Sequence, residues 1–100
     1  MAHMLARLRN VPLAAIKHQL EADAPQHALD GLFLEHLWQN ADDNNEVLFL
    51  FRVNDLGQAR TLIERLHGEA RKQDPNAKLP QMTFLQESEE LVPTTSHARR

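Results

Sequence analysis

The sequence has no cysteine, which excludes disulfide bonds, catalytic thiolates and cysteine-ligated metals. Its only glycines, Gly31, Gly57 and Gly68, are too far apart to form a glycine-rich phosphate-binding loop. No apolar run approaches the roughly 18 residues of a membrane span, and no charged segment followed by an apolar core opens the chain. We therefore expect a soluble, cytoplasmic protein without a membrane partner.

A large excess of charge of one sign is also lacking. Eleven Lys and Arg residues are interspersed with fourteen Asp and Glu residues, which leaves a formal net charge of −3. Because no basic patch dominates, we do not expect nucleic acid as a partner. One hundred residues suffice for one domain with a single small core, so a deep pocket must be small or shared with a second copy.

Hydrophobic periodicity predicts four strands and two helices. The strands are expected over residues 3–10, 32–40, 46–53 and 81–87, and the helices over residues 12–23 and 56–70. The first helix should end near Asp23 because Pro25 follows. Asp55, three residues before Gln58, is typical of a capping box at the start of the second helix. We predict a domain over residues 1–87 and a mobile polar tail over residues 88–100.

The stretch NADDNNEV, residues 40–47, joins the two central strands. Asp and Asn side chains bond their own backbone and tolerate tight turns, so this stretch predicts an antiparallel hairpin. Its many oxygen atoms could suggest a calcium loop, but the twelve-residue ligand pattern and central glycine are absent. The six histidines include no pair at i, i+4. We predict no metal and no cofactor.

The order β-α-β-β-α-β predicts an α+β, ferredoxin-like fold, with a four-stranded antiparallel sheet and both helices on one face. The other face is then bare, and it would present several leucines to water. Such a patch is unusual for a monomer, so we expect a second copy to cover it and to form a homodimer, a dimeric α/β barrel. In the second strand, either of two faces could lie on this side. Regular alternation groups Leu32, Leu34, His36 and Trp38 on one face and Phe33, Glu35, Leu37 and Gln39 on the other, and we expect His36 and Trp38 on the bare face.

Five residues of the bare face are candidate ligand-binding residues: Arg7, His36, Trp38, Leu50 and Arg52. A guanidinium offers a rigid fork of donors, an indole can stack on a planar ligand, and an imidazole can act as acid or base, which makes His36 the candidate catalytic residue. The alternatives are ion pairs of the arginines with Glu35 or Glu87, packing of the indole, and a partly exposed strand histidine. We expect His18 and His67 on solvated helix faces.

Five stretches carry a family resemblance: MAHMLARLR, Asp23-Ala24-Pro25 with Gly31, NADDNNEV, FRVNDLGQAR and FLQE. They resemble short bacterial proteins of the dimeric α/β-barrel superfamily, many labelled "cyclase" or placed near antibiotic-biosynthesis monooxygenases. The resemblance covers residues 1–87 and implies the ferredoxin-like fold and the dimer. Leu8, Ile16 and Asn44 depart from the group, which often has histidine, an aromatic residue and proline there.

Three functions are consistent with these observations. The first is a small homodimeric protein that binds an apolar or aromatic molecule in a cavity between sheet and helices. The second is a cofactor-independent cyclase or monooxygenase-type enzyme for a polyketide-like substrate, in which His36 or an arginine polarises an oxygen. The third is a structural or regulatory dimer without a ligand.

Overall fold

In a computed structural model, residues 1–88 of the chain are described, so that all but Ser88 of the predicted tail lies outside the described residues. The elements are β1 (Ala2–Arg9), α1 (Leu13–Leu29), β2 (Leu32–Gln39), β3 (Glu46–Val53), α2 (Leu56–Gln73) and β4 (Gln81–Gln86). The strands form one antiparallel sheet in the order β2-β3-β1-β4. This arrangement confirms the ferredoxin-like α+β fold.

The core lies between the sheet and the two helices. Met4 of β1 pairs with Phe51 of β3, and Ala6 pairs with Phe49, so these side chains point to the same face. All four are buried and form one cluster with Ile16 and Leu20 of α1 and Ala59 of α2. The alternation of β1 and β3 thus predicts the helix-facing residues correctly. The opposite side of the sheet, which carries no helix, is called the open face below.

Helix α1 does not end near Asp23, as predicted, but continues through Pro25 to Leu29. Proline has no amide hydrogen to donate to the carbonyl of Glu21, but both residues are exposed, so water can bond that carbonyl. The helix is terminated instead by Gly31, whose φ of 77° is left-handed. A Cβ at Gly31 would also lie 3.3 Å from the Cβ of Asn54.

Strand β2 departs from regular alternation. Leu32 and Leu34 pair with Val53 and Phe51, but His36 pairs with Leu50, which leaves one extra residue in β2. This β-bulge at Glu35 reverses the face on which the following side chains lie. The prediction for His36 and Trp38 is confirmed because both lie on the open face. Leu32 and Leu34, which regular alternation groups with them, lie on the helix side instead.

The turn chemistry of the sequence is confirmed. In the β2–β3 connection, the Asn40 side chain accepts a hydrogen bond from the Asp42 amide at 2.8 Å, and Asp43 accepts one from the Asn45 amide at 3.0 Å. At the start of α2, Asp55 accepts a hydrogen bond from the Gln58 amide at 2.9 Å. Short polar side chains therefore satisfy backbone donors at both places.

Candidate functional site

A cavity of about 820 Å³ lies between the sheet and the two helices. Both helices contribute side chains to it, and the helix side of β1, β3 and β4 forms its floor. Most of these side chains are apolar, so the cavity is a place where an apolar molecule can leave water. The apolar residues that line it include Met4, Leu8, Ile16, Leu20, Phe49, Phe51, Leu62, Ile63, Leu66 and Met82.

The helical spacing of the sequence explains why these walls are apolar. Ile16 and Leu20 are four residues apart in α1, and Leu62 and Leu66 are four apart in α2. Residues at this spacing lie on the same side of a helix, here the side that faces the sheet. Leu66 lines the cavity and is nevertheless 44% exposed. The cavity is therefore open to solvent along α2.

A group of polar residues from the second half of α1 and its C-cap lines another part of the cavity. It contains Asp23, Gln26, His27 and Asp30. The carboxylate of Asp30 accepts a hydrogen bond from the Gln26 amide at 3.3 Å. The His27 ring meets the edge of the Phe51 ring, with centroids 5.2 Å apart and an interplanar angle of 82°. His27 thus joins the polar group to the apolar floor.

Helix α2 contributes a second histidine to the cavity. His67 lines it and is partly buried, so the expectation of a solvated helix face is wrong for this residue. Burial and the nearby guanidinium of Arg71 lower the pKa of His67 below its usual 6.5. At neutral pH this imidazole is therefore uncharged, with one donor and one acceptor nitrogen.

All five predicted ligand-binding residues lie on the open face, and none of them lines the cavity. Leu50 pairs with His36, whose ring stacks on Trp38 with centroids 4.8 Å apart. The neighbouring rungs carry Arg7 and Arg52, so the structure brings the five together on adjacent strands. Their binding roles, and the catalytic role of His36, stay predictions for a ligand held at the open face.

The two arginines make ion pairs within the sheet. The Arg52 guanidinium lies 3.6 Å from the Glu35 carboxylate and 4.6 Å from the centre of the Phe33 ring. Arg7 pairs with Glu46 at 3.7 Å. Arg52 thus pairs with Glu35, as expected, whereas Arg7 pairs with Glu46 and not with Glu35 or Glu87. Ion pairing therefore accounts for both side chains without a ligand.

Glu46 is a residue that the sequence reasoning missed. Its side chain is only 6% exposed, although it lies on the open face. Its carboxylate accepts hydrogen bonds from Asn40 at 2.7 Å and from Arg9 at 3.3 Å. The sequence places Arg9 at the end of the first strand and Glu46 at the start of the third. Antiparallel pairing of these strands puts the two opposite charges on one rung. Glu46 fixes the start of β3 against β1.

Residues 1–88 offer neither a cluster of metal ligands nor a helix that could span a membrane. Within this range no group of three or more His, Asp or Glu side chains is placed to hold a metal ion. No helix in the same range is long and apolar enough to cross a membrane.

Comparisons with known proteins show that the chain is similar to solved structures. No protein-family model matches the chain, and no curated protein matches it in sequence. The "putative antibiotic biosynthesis monooxygenase" of Deinococcus radiodurans superposes with a TM-score of 0.62 at 17% identity, covering 94% of this chain and 99% of that chain.

Two more solved structures share the fold. An uncharacterised NIPSNAP domain protein of Burkholderia xenovorans has a TM-score of 0.56 at 16% identity, covering 93% of this chain and 100% of that chain. The "putative antibiotic biosynthesis monooxygenase" of Nitrosomonas europaea has a TM-score of 0.56 at 15% identity, covering 89% and 100%. At the level of the fold, these similarities confirm the resemblance seen in the sequence.

Proposed function

We propose that this protein is a homodimer that binds an apolar or aromatic small molecule in the cavity between its sheet and its helices. The observation that carries the proposal is the cavity itself, about 820 Å³ in volume and walled mainly by aliphatic and aromatic side chains. Ligand sites commonly have volumes of roughly 300–1,000 Å³ and apolar walls with a few polar groups. The structural neighbours support the fold only, so we propose no oxygenation reaction.

Substitution of two neighbouring alanines of α1 tests whether a ligand binds in the cavity. Both are exposed, but Ala15 lines the cavity and Ala14 does not. We expect Ala15→Phe to weaken binding of the neutral fluorescent probe N-phenyl-1-naphthylamine by about tenfold or more, because the added ring occupies ligand space; tenfold corresponds to about 1.4 kcal/mol. Ala14→Phe adds the same ring outside the cavity and should leave the affinity unchanged.

Two measurements complete this test. Fluorescence titration gives the affinities, and native mass spectrometry of the purified protein shows whether it carries a bound molecule. A wild-type protein that binds no apolar probe and carries no bound molecule would contradict the cavity proposal. Equal weakening by Ala14→Phe and Ala15→Phe would place the probe elsewhere on the protein.

The dimer proposal is supported by the apolar side chains of the open face. Trp38 and Leu85 are 44% and 41% exposed, and Leu5, Leu48 and Leu50 lie between them. Within residues 1–88 no helix covers this face. A second copy would remove these side chains from water, which is the main source of free energy in association.

Leu50→Asp tests the dimer, because it places a charge at the middle of the open face. We expect this variant to be a monomer by analytical ultracentrifugation at concentrations where the wild-type protein is a dimer. Leu29→Asp is the control, since Leu29 belongs to α1 and not to the sheet and is 82% exposed. A Leu50→Asp variant that stays dimeric would place the interface elsewhere.

The only tryptophan, Trp38, gives a second readout of the same interface. It lies on the open face and does not line the cavity. Its emission should therefore shift to shorter wavelength when the dimer forms, and it should respond little when the cavity is filled. This separates association from ligand binding in one sample.

A further inference from the structure

The imidazole of His27 is the polar group of α1 that meets the apolar floor of the cavity. It is partly buried, it lines the cavity, and its ring lies edge-on to Phe51 with centroids 5.2 Å apart. A ligand packed on Phe51 would therefore have His27 at its side. The position is set by helical spacing, since His27 follows Leu20 and Asp23 by seven and four residues on the side of α1 that faces the sheet.

The ring nitrogens of His27 have no hydrogen-bond partner among residues 1–88. The polar side chains beside it are already paired, Gln26 with Asp30 at 3.3 Å and Gln19 with Asp23 at 2.7 Å. A polar group that loses water without gaining a partner is costly. When a ligand displaces water from this part of the cavity, it must therefore supply the partner itself.

The charges around His27 limit what that partner can be. Asp23 of α1 and Asp30, which caps its C-terminal end, line the cavity about one turn to either side of His27. The cationic residues that line the cavity come from other elements and have partners there, since Arg65 pairs with Glu69 at 4.0 Å and Lys78 donates to the Asn10 carbonyl at 3.2 Å. Two carboxylates repel an anion brought between them, and the repulsion strengthens as water leaves the site. A neutral oxygen, which can accept a hydrogen bond or donate one, meets no such penalty.

From this geometry we infer that His27 selects the ligand of the cavity by hydrogen bonding to a neutral oxygen, a hydroxyl or a carbonyl, on an otherwise apolar molecule. The inference rests on the proposed binding function and names the residue and the ligand group that make it specific. His27 is a ligand-contacting residue, and its effect is on preference among ligands of equal size.

Three probes with the same apolar body test this inference: naphthalene, 2-naphthol and 2-naphthoate. Their affinities for the full 100-residue chain are measured by competition with N-phenyl-1-naphthylamine. We expect 2-naphthol to bind about fivefold more tightly than naphthalene, the gain from one hydrogen bond. We expect 2-naphthoate to bind more weakly than 2-naphthol, because of the two carboxylates.

Three variants assign the preference to one side chain. His27→Phe keeps a ring against Phe51 and should abolish the fivefold preference while naphthalene still binds. His27→Gln keeps a hydrogen-bonding group and should retain part of it. The control His18→Phe changes an exposed histidine of the same helix and should retain all of it. Circular dichroism establishes whether each variant is folded. If His27→Phe is not folded, the change in preference is measured with His27→Gln alone.

The outcomes separate this inference from the proposed function. A 2-naphthol preference that survives in His27→Phe, or that is lost completely in a folded His27→Gln, overturns the role of His27 and leaves the cavity proposal intact. Tightest binding of 2-naphthoate overturns the neutral-oxygen assignment. Failure of all three probes to bind the wild-type protein overturns the cavity proposal and the inference together.

Discussion

Apolar side chains are buried to different extents on the two faces of the sheet. On the helix side, Met4, Ala6, Phe49 and Phe51 are buried against the helices, and an open cavity remains beside them. On the open face, apolar residues alternate with charged ones, and none of its leucines is fully buried. The same strands supply both faces, since neighbouring residues in a strand point to opposite sides.

This difference assigns separate tasks to the two faces. The helix side provides the free energy that folds the single chain, and its packing is incomplete where the cavity lies. The open face contributes little to the stability of one chain and has a surface suited to a partner. Mutating two neighbouring residues that point to opposite faces tests this division most directly.

Met4 and Leu5 are such neighbours in β1. Met4 is 1% exposed on the helix side, whereas Leu5 is only half-buried on the open face between Leu50 and Thr83. We expect Met4→Ala to lower the free energy of unfolding by about 2–5 kcal/mol, the usual cost of a cavity in a core. Leu5→Ala should cost much less at protein concentrations too low for association.

Urea unfolding followed by circular dichroism measures both effects. The cost of Leu5→Ala should grow with protein concentration if the open face is the dimer interface, whereas the cost of Met4→Ala should not grow in this way. Equal costs for the two variants in dilute solution would contradict the division between the faces.

Much of this division follows from the sequence, and β2 shows why some of it does not. Period-two alternation in β1 and β3 predicts the core correctly because these two strands pair with each other without a register shift. In β2, a single extra residue at Glu35 reverses the pattern, and no residue type in LFLEHLWQ marks a bulge. A bulge depends on the partner strand, which local pattern does not contain.

The cavity residues were missed for a related reason. The sequence predicts polar ligand groups on the open face, where arginine and histidine are interspersed with leucine. The pattern predicts a solvated helix face for His67, and His27 lies beyond the predicted end of the first helix near Asp23. They line the cavity because a wide space remains between the helices and the sheet. The distance between helices and sheet depends on how the whole chain packs, so the pattern of a single helix does not predict it.

Within the open face, the carboxylates of Glu46 and Glu35 differ in burial. The carboxylate of Glu46 is almost fully buried, whereas that of Glu35, which pairs with Arg52 and His3, is 35% exposed. We expect Glu46→Ala to lower the free energy of unfolding by about 1.5–3 kcal/mol, because it removes charge-assisted hydrogen bonds from Asn40 and Arg9. Glu35→Ala should cost less than about 1 kcal/mol, as surface ion pairs usually do.

Salt distinguishes these two carboxylates further. Unfolding at low and at 1 M salt should show that the contribution of Glu35 is largely screened and that of Glu46 is retained in greater part. If the two variants respond equally in cost and in salt dependence, the burial of Glu46 has no energetic consequence, and the open face is uniform.

The smallest expected effect concerns the titration of His67 on the helix side. Because burial and Arg71 lower its pKa in the folded protein, the unfolded chain binds the proton more readily, and the free energy of unfolding should fall as the pH drops below about 6.5. His67→Gln removes this contribution, so the variant should lose less stability between pH 8 and pH 5 than the wild-type protein. His18→Gln, at an exposed position of α1, should behave like the wild type. Urea unfolding at several pH values measures this difference in stability, which should be small because the ring keeps some contact with water. Identical pH profiles for His67→Gln and the wild-type protein would show that this histidine is as solvated as one on the surface.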